Sequence, residues 1–274
     1  MRRVFPLFLF LAAFVTLAFL VVPIVAIFLR IPPGDLIAAL GSEVARDALI
    51  VTVETTVVAQ ALIIAFGTPT AYLLATRTFP GRSLAVTLVE LPLVLPPAVA
   101  GIGLLATFGR LGLLGSSLSA LGIQIAFTKI AVVLAVVFVA GPFYIRTGVA
   151  AFGEVDSSLT DAARTLGAGP ARTFGRVALP LALSGLTAGA ALSFARGIGE
   201  FGATIMFAGS LQGVTQTLSL AVYEQFDVDF DTALAIGAGL VVVSAAVLLT
   251  VKLIPSWRRS TSLFPTVSAT SASS

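Results

Sequence analysis

The 274-residue chain is 58% hydrophobic and 11% charged, against about 25% charged in soluble domains. Its mean hydropathy is +1.07, so a soluble fold would expose apolar surface almost everywhere and the chain reads as an integral membrane protein. The formal charge of +3 comes from basic residues set at the ends of apolar runs rather than in one stripe, which argues against a nucleic-acid partner. With no cysteine and no histidine, disulfides, thiolate metal centres, metalloprotease motifs and histidine acid–base catalysis are excluded.

Met1-Arg2-Arg3 precedes an apolar stretch from Val4 to Leu29. This is about twice the 7–15 residues of a signal-peptide core and has no small-x-small cleavage site, so it reads as a retained first span. Runs of roughly 20 apolar residues can cross a bilayer, and six are expected, at about 5–29, 48–76, 84–108, 127–149, 181–208 and 232–254. Gly67 and Pro69 suggest a kink, or an extension beyond the membrane, in the long second span. The third carries Pro92, Pro96 and Pro97. All six form one membrane domain over residues 1–259, and the Ser/Thr/Ala-rich tail 260–274 reads as disordered.

Arginine and lysine positions set the expected orientation. With the N-terminus inside, the inner segments hold eleven (Arg2, Arg3, Arg77, Arg82, Arg146, Arg164, Arg172, Arg176, Lys252, Arg258, Arg259) and the outer segments four (Arg30, Arg46, Arg110, Lys129). Both termini, and the loop between spans four and five, are therefore expected in the cytoplasm. In that loop Ser158-Leu159-Thr160-Asp161 reads as a capping box with Ser158 as N-cap. Ala162, Ala163 and Gly167 give a small-residue face, Pro170 starts a second short helix carrying Arg172 and Arg176, and Pro180 marks its end.

Four ionisable residues fall inside expected spans: Glu54, Glu90, Arg196 and Glu200. Each costs roughly 2.5–3.5 kcal/mol at the bilayer centre. Glu54 is near enough to the outer end of its span to reach water, and Glu90 is expected to hydrogen-bond a neighbouring helix. Arg196 and Glu200 stand i, i+4 on one helix face and read as an ion pair. Gly197, Gly199 and Gly202 leave that stretch thin, for close packing or a hinge.

Asp161-Ala162-Ala163, Gly167 and, after nine residues, Val177-x-Leu179-Pro180 fit the pattern [ED]-A-A-x3-G-x9-[IV]-x-L-P. This resembles the coupling loop of ABC importer permeases, with Asp161 in place of the usual Glu. Phe194-Ala195-Arg196-Gly197-Ile198-Gly199-Glu200-Phe201-Gly202-Ala203-Thr204 narrows the resemblance to the molybdate/tungstate/sulfate branch. Thr70 to Arg82, Leu91 to Gly101 (with Pro96-Pro97) and Phe108 to Gly115 are also similar to that branch, the last best to its molybdate members.

The resemblance implies an all-α type I permease of six transmembrane helices, with a cytoplasmic coupling helix in the loop at about 154–180. It implies a bacterial or archaeal plasma membrane, a second permease copy, an extracytoplasmic substrate-binding protein and two ATP-binding subunits that use ATP and Mg. Asp161, Ala162, Ala163, Gly167, Leu179 and Pro180 would couple to the ATPase. Arg196, Gly199, Glu200, Gly202, Pro96 and Pro97 would line or gate the path, with no cofactor held by the chain itself. Molybdate is the leading substrate, tungstate next and sulfate third. The chain has no G-x-x-x-x-G-K-[ST] stretch and so cannot supply the usual P-loop ATPase. Two other classes fit less well: a secondary transporter, because residues 1–125 and 126–274 show no repeat, and an intramembrane enzyme, because no nucleophile–base pair is evident.

Overall fold

The computed structural model describes residues 4–259, all of whose regular elements are helices; the 260–274 tail expected to be disordered lies outside the described residues. In chain order they are α1 (Val4–Arg30), α2 (Pro33–Leu40), α3 (Glu43–Thr76), α4 (Arg82–Val94), α5 (Pro97–Phe108), α6 (Gly115–Ala120), α7 (Lys129–Gly153), α8 (Ser157–Thr165), α9 (Pro170–Thr173), α10 (Leu179–Ile198), α11 (Gly202–Ala208), α12 (Leu218–Phe226) and α13 (Phe230–Arg259). A π-helical turn, Phe174–Ala178, joins α9 to α10, so Pro170–Ile198 is a single rod. Among the described residues five helices are long and apolar enough to cross a membrane, and a sixth crossing arises if α4 and α5 are taken as one span.

Two expected spans depart most from the helices found. The third is broken: α4 and α5 meet at 115°. The cause is local, since the residue before a proline is driven out of the helical region. Leu95 and Pro96 each precede a proline and take extended ψ values of 134° and 131°. The fifth, expected at 181–208, starts eleven residues earlier at Pro170 and stops at Ile198. Pro180 therefore does not end a surface helix. The Leu179 N–H reaches back five residues to Phe174 O, and this wider turn lets the helix run on past a residue with no N–H. In α3 the backbone stays helical through both Gly67 and Pro69, so no break occurs there.

Small residues let the spans close on α7, the central helix. A β-carbon at Gly67 would lie 2.8 Å from Tyr144 Cδ1, one at Gly148 2.8 Å from Ala71 Cβ, and one at Gly185 2.4 Å from Ala151 Cβ. Membrane helices, which gain little from hydrophobic burial against one another, associate through such close approach. Ala59, Ile63, Val136, Ala140, Tyr144 and Leu186 form the middle of this core.

At 34 residues, α3 is about 51 Å long at 1.5 Å per residue, well beyond the ~30 Å hydrocarbon thickness. Its surplus is at the start, where the Ser42 hydroxyl accepts the Ala45 N–H (3.2 Å) and α12 runs alongside. Leu218 N–H donates to Thr52 Oγ1 at 2.8 Å, and Ala45, Ala48, Leu218, Ala221 and Ile236 form a small core of their own.

Candidate functional site

Lys129, the first residue of α7, reaches Glu54 on α3 at 2.6 Å, both side chains being about half exposed. Glu54 thus has a partner rather than water alone. The pair marks one edge of the hydrocarbon, because charges are cheapest at the boundary. A β-carbon at Gly197 would touch Val136 Cγ1 (2.8 Å) and Ala140 Cβ (3.6 Å). These stand seven and eleven residues inward of Lys129, or about 10–17 Å at helical rise. Arg196, beside Gly197, therefore sits near the middle of a ~30 Å core.

There the Arg196 guanidinium Nη2 lies 2.7 Å from Glu200 Oε2, as the spacing predicts. The pair is not intrahelical, however: α10 ends at Ile198, and Glu200 stands in the unwound link to α11. Glu200 is buried, its side chain 1% exposed, whereas Arg196 keeps 29% of its side chain open. The second Glu200 oxygen, Oε1, accepts the Ala203 N–H at 2.8 Å. One carboxylate thus balances the arginine and satisfies an orphan backbone donor at the start of α11, where several N–H groups lack helical partners.

The two helix breaks touch. A β-carbon at Gly202 would lie 2.8 Å from Pro97 Cβ and 3.2 Å from the Ala98 nitrogen, and one at Gly101 2.5 Å from Ala203 O. Pro96, Pro97, Gly199, Glu200, Gly202 and Arg196 are therefore brought to one place. Gly199 is exposed, and a β-carbon there would meet nothing nearer than Ala195 O at 4.0 Å. Ser219 Oγ donates to Ile198 O (3.4 Å), and Tyr223 packs on Phe201 with centroids 4.9 Å apart, so α12 covers the end of α10. Interrupted helices at mid-depth expose backbone groups where a polar ligand passes.

Sequence reasoning missed a polar contact one turn from Arg196. Ser193 Oγ donates to Gln60 Oε1 (3.1 Å), and Gln60 Nε2 donates to Ala190 O (3.3 Å). The signal was Gln60 itself, an amide in an otherwise apolar run. Glu90, expected to hydrogen-bond a neighbour, instead faces Arg146 Nε on α7 at 3.9 Å, an ion pair too long for a hydrogen bond.

On the opposite side of the membrane domain, α8 projects with no buried residue. Its N-cap is Asp156, not Ser158: the Asp156 carboxylate accepts the Ser158 N–H at 2.9 Å. This backbone bond holds its pKa below the usual aspartate value. The capping box is displaced because Ser157 and Ser158 already lie in the helix, and Asp161 pairs instead with Arg164 at 3.2 Å. Gly167 takes φ +86° just beyond α8, and Ala168 N–H closes the turn on Ala163 O (2.9 Å). Asp161, Ala162 and Gly167 are exposed and Ala163 is half-buried. Leu179 and Pro180 sit apart from them, at the start of α10.

Cavities of about 300 and 360 Å³ flank α8. Tyr72, Phe152 and Phe174 pack edge-on or tilted beneath it, Tyr72 at 5.2 and 4.8 Å from the other two. The helix is thus loosely seated on a firm aromatic base. Among the described residues no group of three or more acidic, histidine or cysteine side chains could hold a metal ion.

The solved structure of a bacterial alginate ABC transporter in complex with an alginate-bound periplasmic protein matches with a TM-score of 0.70 at 19% identity, over 95% of this chain and 96% of that one. The molybdenum transport system permease protein ModB of Mycobacterium tuberculosis is 44% identical over 245 residues, 89% of this chain and 92% of the relative. The sulfate transport system permease protein CysT of Synechococcus elongatus is 35% identical over 242 residues, 87% of each. Residues 67–254 match the family model described as the inner-membrane component of binding-protein-dependent transport systems. The chain belongs to that family, and its helices form the type I permease fold of ABC importers.

Proposed function

We propose that this chain is the permease of an ATP-driven molybdate importer, with tungstate accepted nearly as well because it is the same tetrahedral dianion in size and charge. The observation that carries the substrate is the 44% identity to a molybdenum transport permease over 89% of the chain. The half-open guanidinium near mid-depth is consistent with it.

Arg196 lines the path and meets the anion, while Glu200 keeps the site close to neutral, so that the anion is not trapped. Conduction needs weak contacts. The touching breaks at Pro96-Pro97 and Gly199–Gly202 supply the gate. The exposed helix α8, with Asp161, Ala162, Ala163 and Gly167, docks on an ATP-binding subunit, and the Pro170–Ile198 rod carries its motion to Arg196 through Leu179 and Pro180. Two such subunits supply ATP and Mg chemistry, two permease copies enclose the path, and a soluble protein delivers the anion from outside. Both termini are cytoplasmic in a bacterial or archaeal plasma membrane.

A sulfate importer is the second reading, favoured by the 35% identity to a sulfate permease. Uptake of labelled molybdate by cells expressing the chain with its ATPase and binding protein separates them. Uptake is expected to be blocked by tungstate and not by excess sulfate. Block by sulfate moves the assignment to sulfate, and uptake abolished by collapse of ion gradients at normal ATP contradicts ATP drive.

A further inference from the structure

Gln60 stands on α3 six residues inward of Glu54, about 9 Å from the hydrocarbon edge at helical rise. It is the only carboxamide in the crossing helices of the described residues. A polar group at that depth is costly unless hydrogen-bonded. Tying α3 to α10 would be one reason to keep it, but α10 does not need the tie. The Ala190 carbonyl, which accepts from Gln60 Nε2 at 3.3 Å, lies inside α10 and already has the Phe194 N–H of its own helix. Ser193 Oγ has one proton and two acceptors, Gln60 Oε1 and Ala190 O, each at 3.1 Å. Without Gln60 the hydroxyl keeps Ala190 O, a bond that serine commonly makes to its own helix. No group of α10 would be orphaned.

The group with capacity to spare is the amide itself. It carries two N–H donors; one goes to Ala190 O, and the other has no acceptor among the described residues. Gln60 is half-buried rather than sealed. Ala190 and Ile64, the latter one turn beyond Gln60, both line a cavity of about 500 Å³ between α3, α7 and α10. Arg196 is one turn from Ser193 on α10, on the same face, and keeps 29% of its side chain open. A spare donor thus lies beside open space and next to the guanidinium.

We propose that Gln60 is a second hydrogen-bond donor to the transported anion, beside Arg196; this rests on the reading of the chain as an oxyanion importer. A fully ionised oxyanion offers acceptors on every side, so it can take the spare N–H while the bond to Ala190 O stays in place. Ser193 occupies Oε1, which keeps the nitrogen as the end available to an anion. A neutral donor adds a contact weaker than a second cation would make, as conduction requires.

The test uses the permease assembled with its ATP-binding subunits in proteoliposomes, supplied with the binding protein and labelled molybdate. The readouts are uptake per assembled transporter and the thermal midpoint of the complex. Gln60→Met fills a similar volume without a donor, and Gln60→Glu keeps an acceptor for Ser193 but adds negative charge. For Gln60→Met the midpoint is expected to stay at the wild-type value while uptake falls about tenfold, ~1.4 kcal/mol. Uptake by Gln60→Glu should fall further, because its carboxylate repels the dianion and competes for Arg196. Wild-type uptake in Gln60→Met overturns the proposal. So does a loss of uptake matched by a lower midpoint, or Gln60→Glu importing as well as Gln60→Met. A wild type that imports no molybdate, tungstate or sulfate contradicts the importer reading instead.

Discussion

Arg196 and Glu200 hold opposite charges near the centre of the membrane, and the two roles open to them separate experimentally. Removing Arg196 alone leaves a buried carboxylate without its cation, a loss of about 3–5 kcal/mol in comparable pairs. Arg196→Gln is therefore expected to reduce assembled transporter as well as uptake. In the double variant Arg196→Gln/Glu200→Gln both charges are gone, and the amide oxygen introduced by Glu200→Gln can still accept the Ala203 N–H. Assembly should recover while uptake per assembled transporter stays about tenfold or more below wild type, the scale of one lost contact of ~1.4 kcal/mol. Wild-type uptake by the double variant would reduce Arg196 to a structural partner. The i, i+4 pairing was legible from spacing alone. That Glu200 also caps α11 was not, because Gly197, Gly199 and Gly202 suggest packing or a hinge without fixing that the helix stops at Ile198.

At the scale of elements, proline placed some breaks and misled about others. Leu95-Pro96-Pro97 breaks the third span because two successive residues precede prolines. Pro69 and Pro180 lie within helices, the latter just after a π-helical turn that no local pattern announces. Gly67 suggests a kink in sequence, but its role is contact with Tyr144, which only the tertiary arrangement reveals. Gly67→Val drives side-chain atoms into that ring and should cost about 1–3 kcal/mol, the usual penalty of overpacking, seen as a lower thermal midpoint in detergent. An unchanged midpoint would mean the two helices are not so close. The cap of α8 has a pH signature. The Asp156 pKa is lowered from 3.8 by the Ser158 N–H, so its stabilisation is complete above 3.8 and disappears as pH falls through the lower folded value. Amide protection at Ser158 should hold between pH 5 and 8 and be lost at all pH values in Asp156→Ala. Loss of protection in the wild type near neutral pH would contradict the cap.

For the whole molecule, the membrane was legible in composition and the family resemblance in motif spacing. What the sequence left hidden was convergence: Pro97 and Gly202 are separated by more than a hundred residues and meet only because α11 folds back on α5. The central claim is that the path passes this meeting point. The chain has no cysteine, so a single introduced thiol reports water directly. Gly199 is exposed with space for a side chain, and Phe66 of α3 is an apolar residue 70% exposed. In the assembled transporter Gly199→Cys should react with a membrane-impermeant thiol reagent, at a rate that changes between nucleotide-free and ATP-bound states, while Phe66→Cys stays unreactive. A Gly199→Cys thiol unreactive in every nucleotide state, or reacting no faster than Phe66→Cys, would place the path elsewhere.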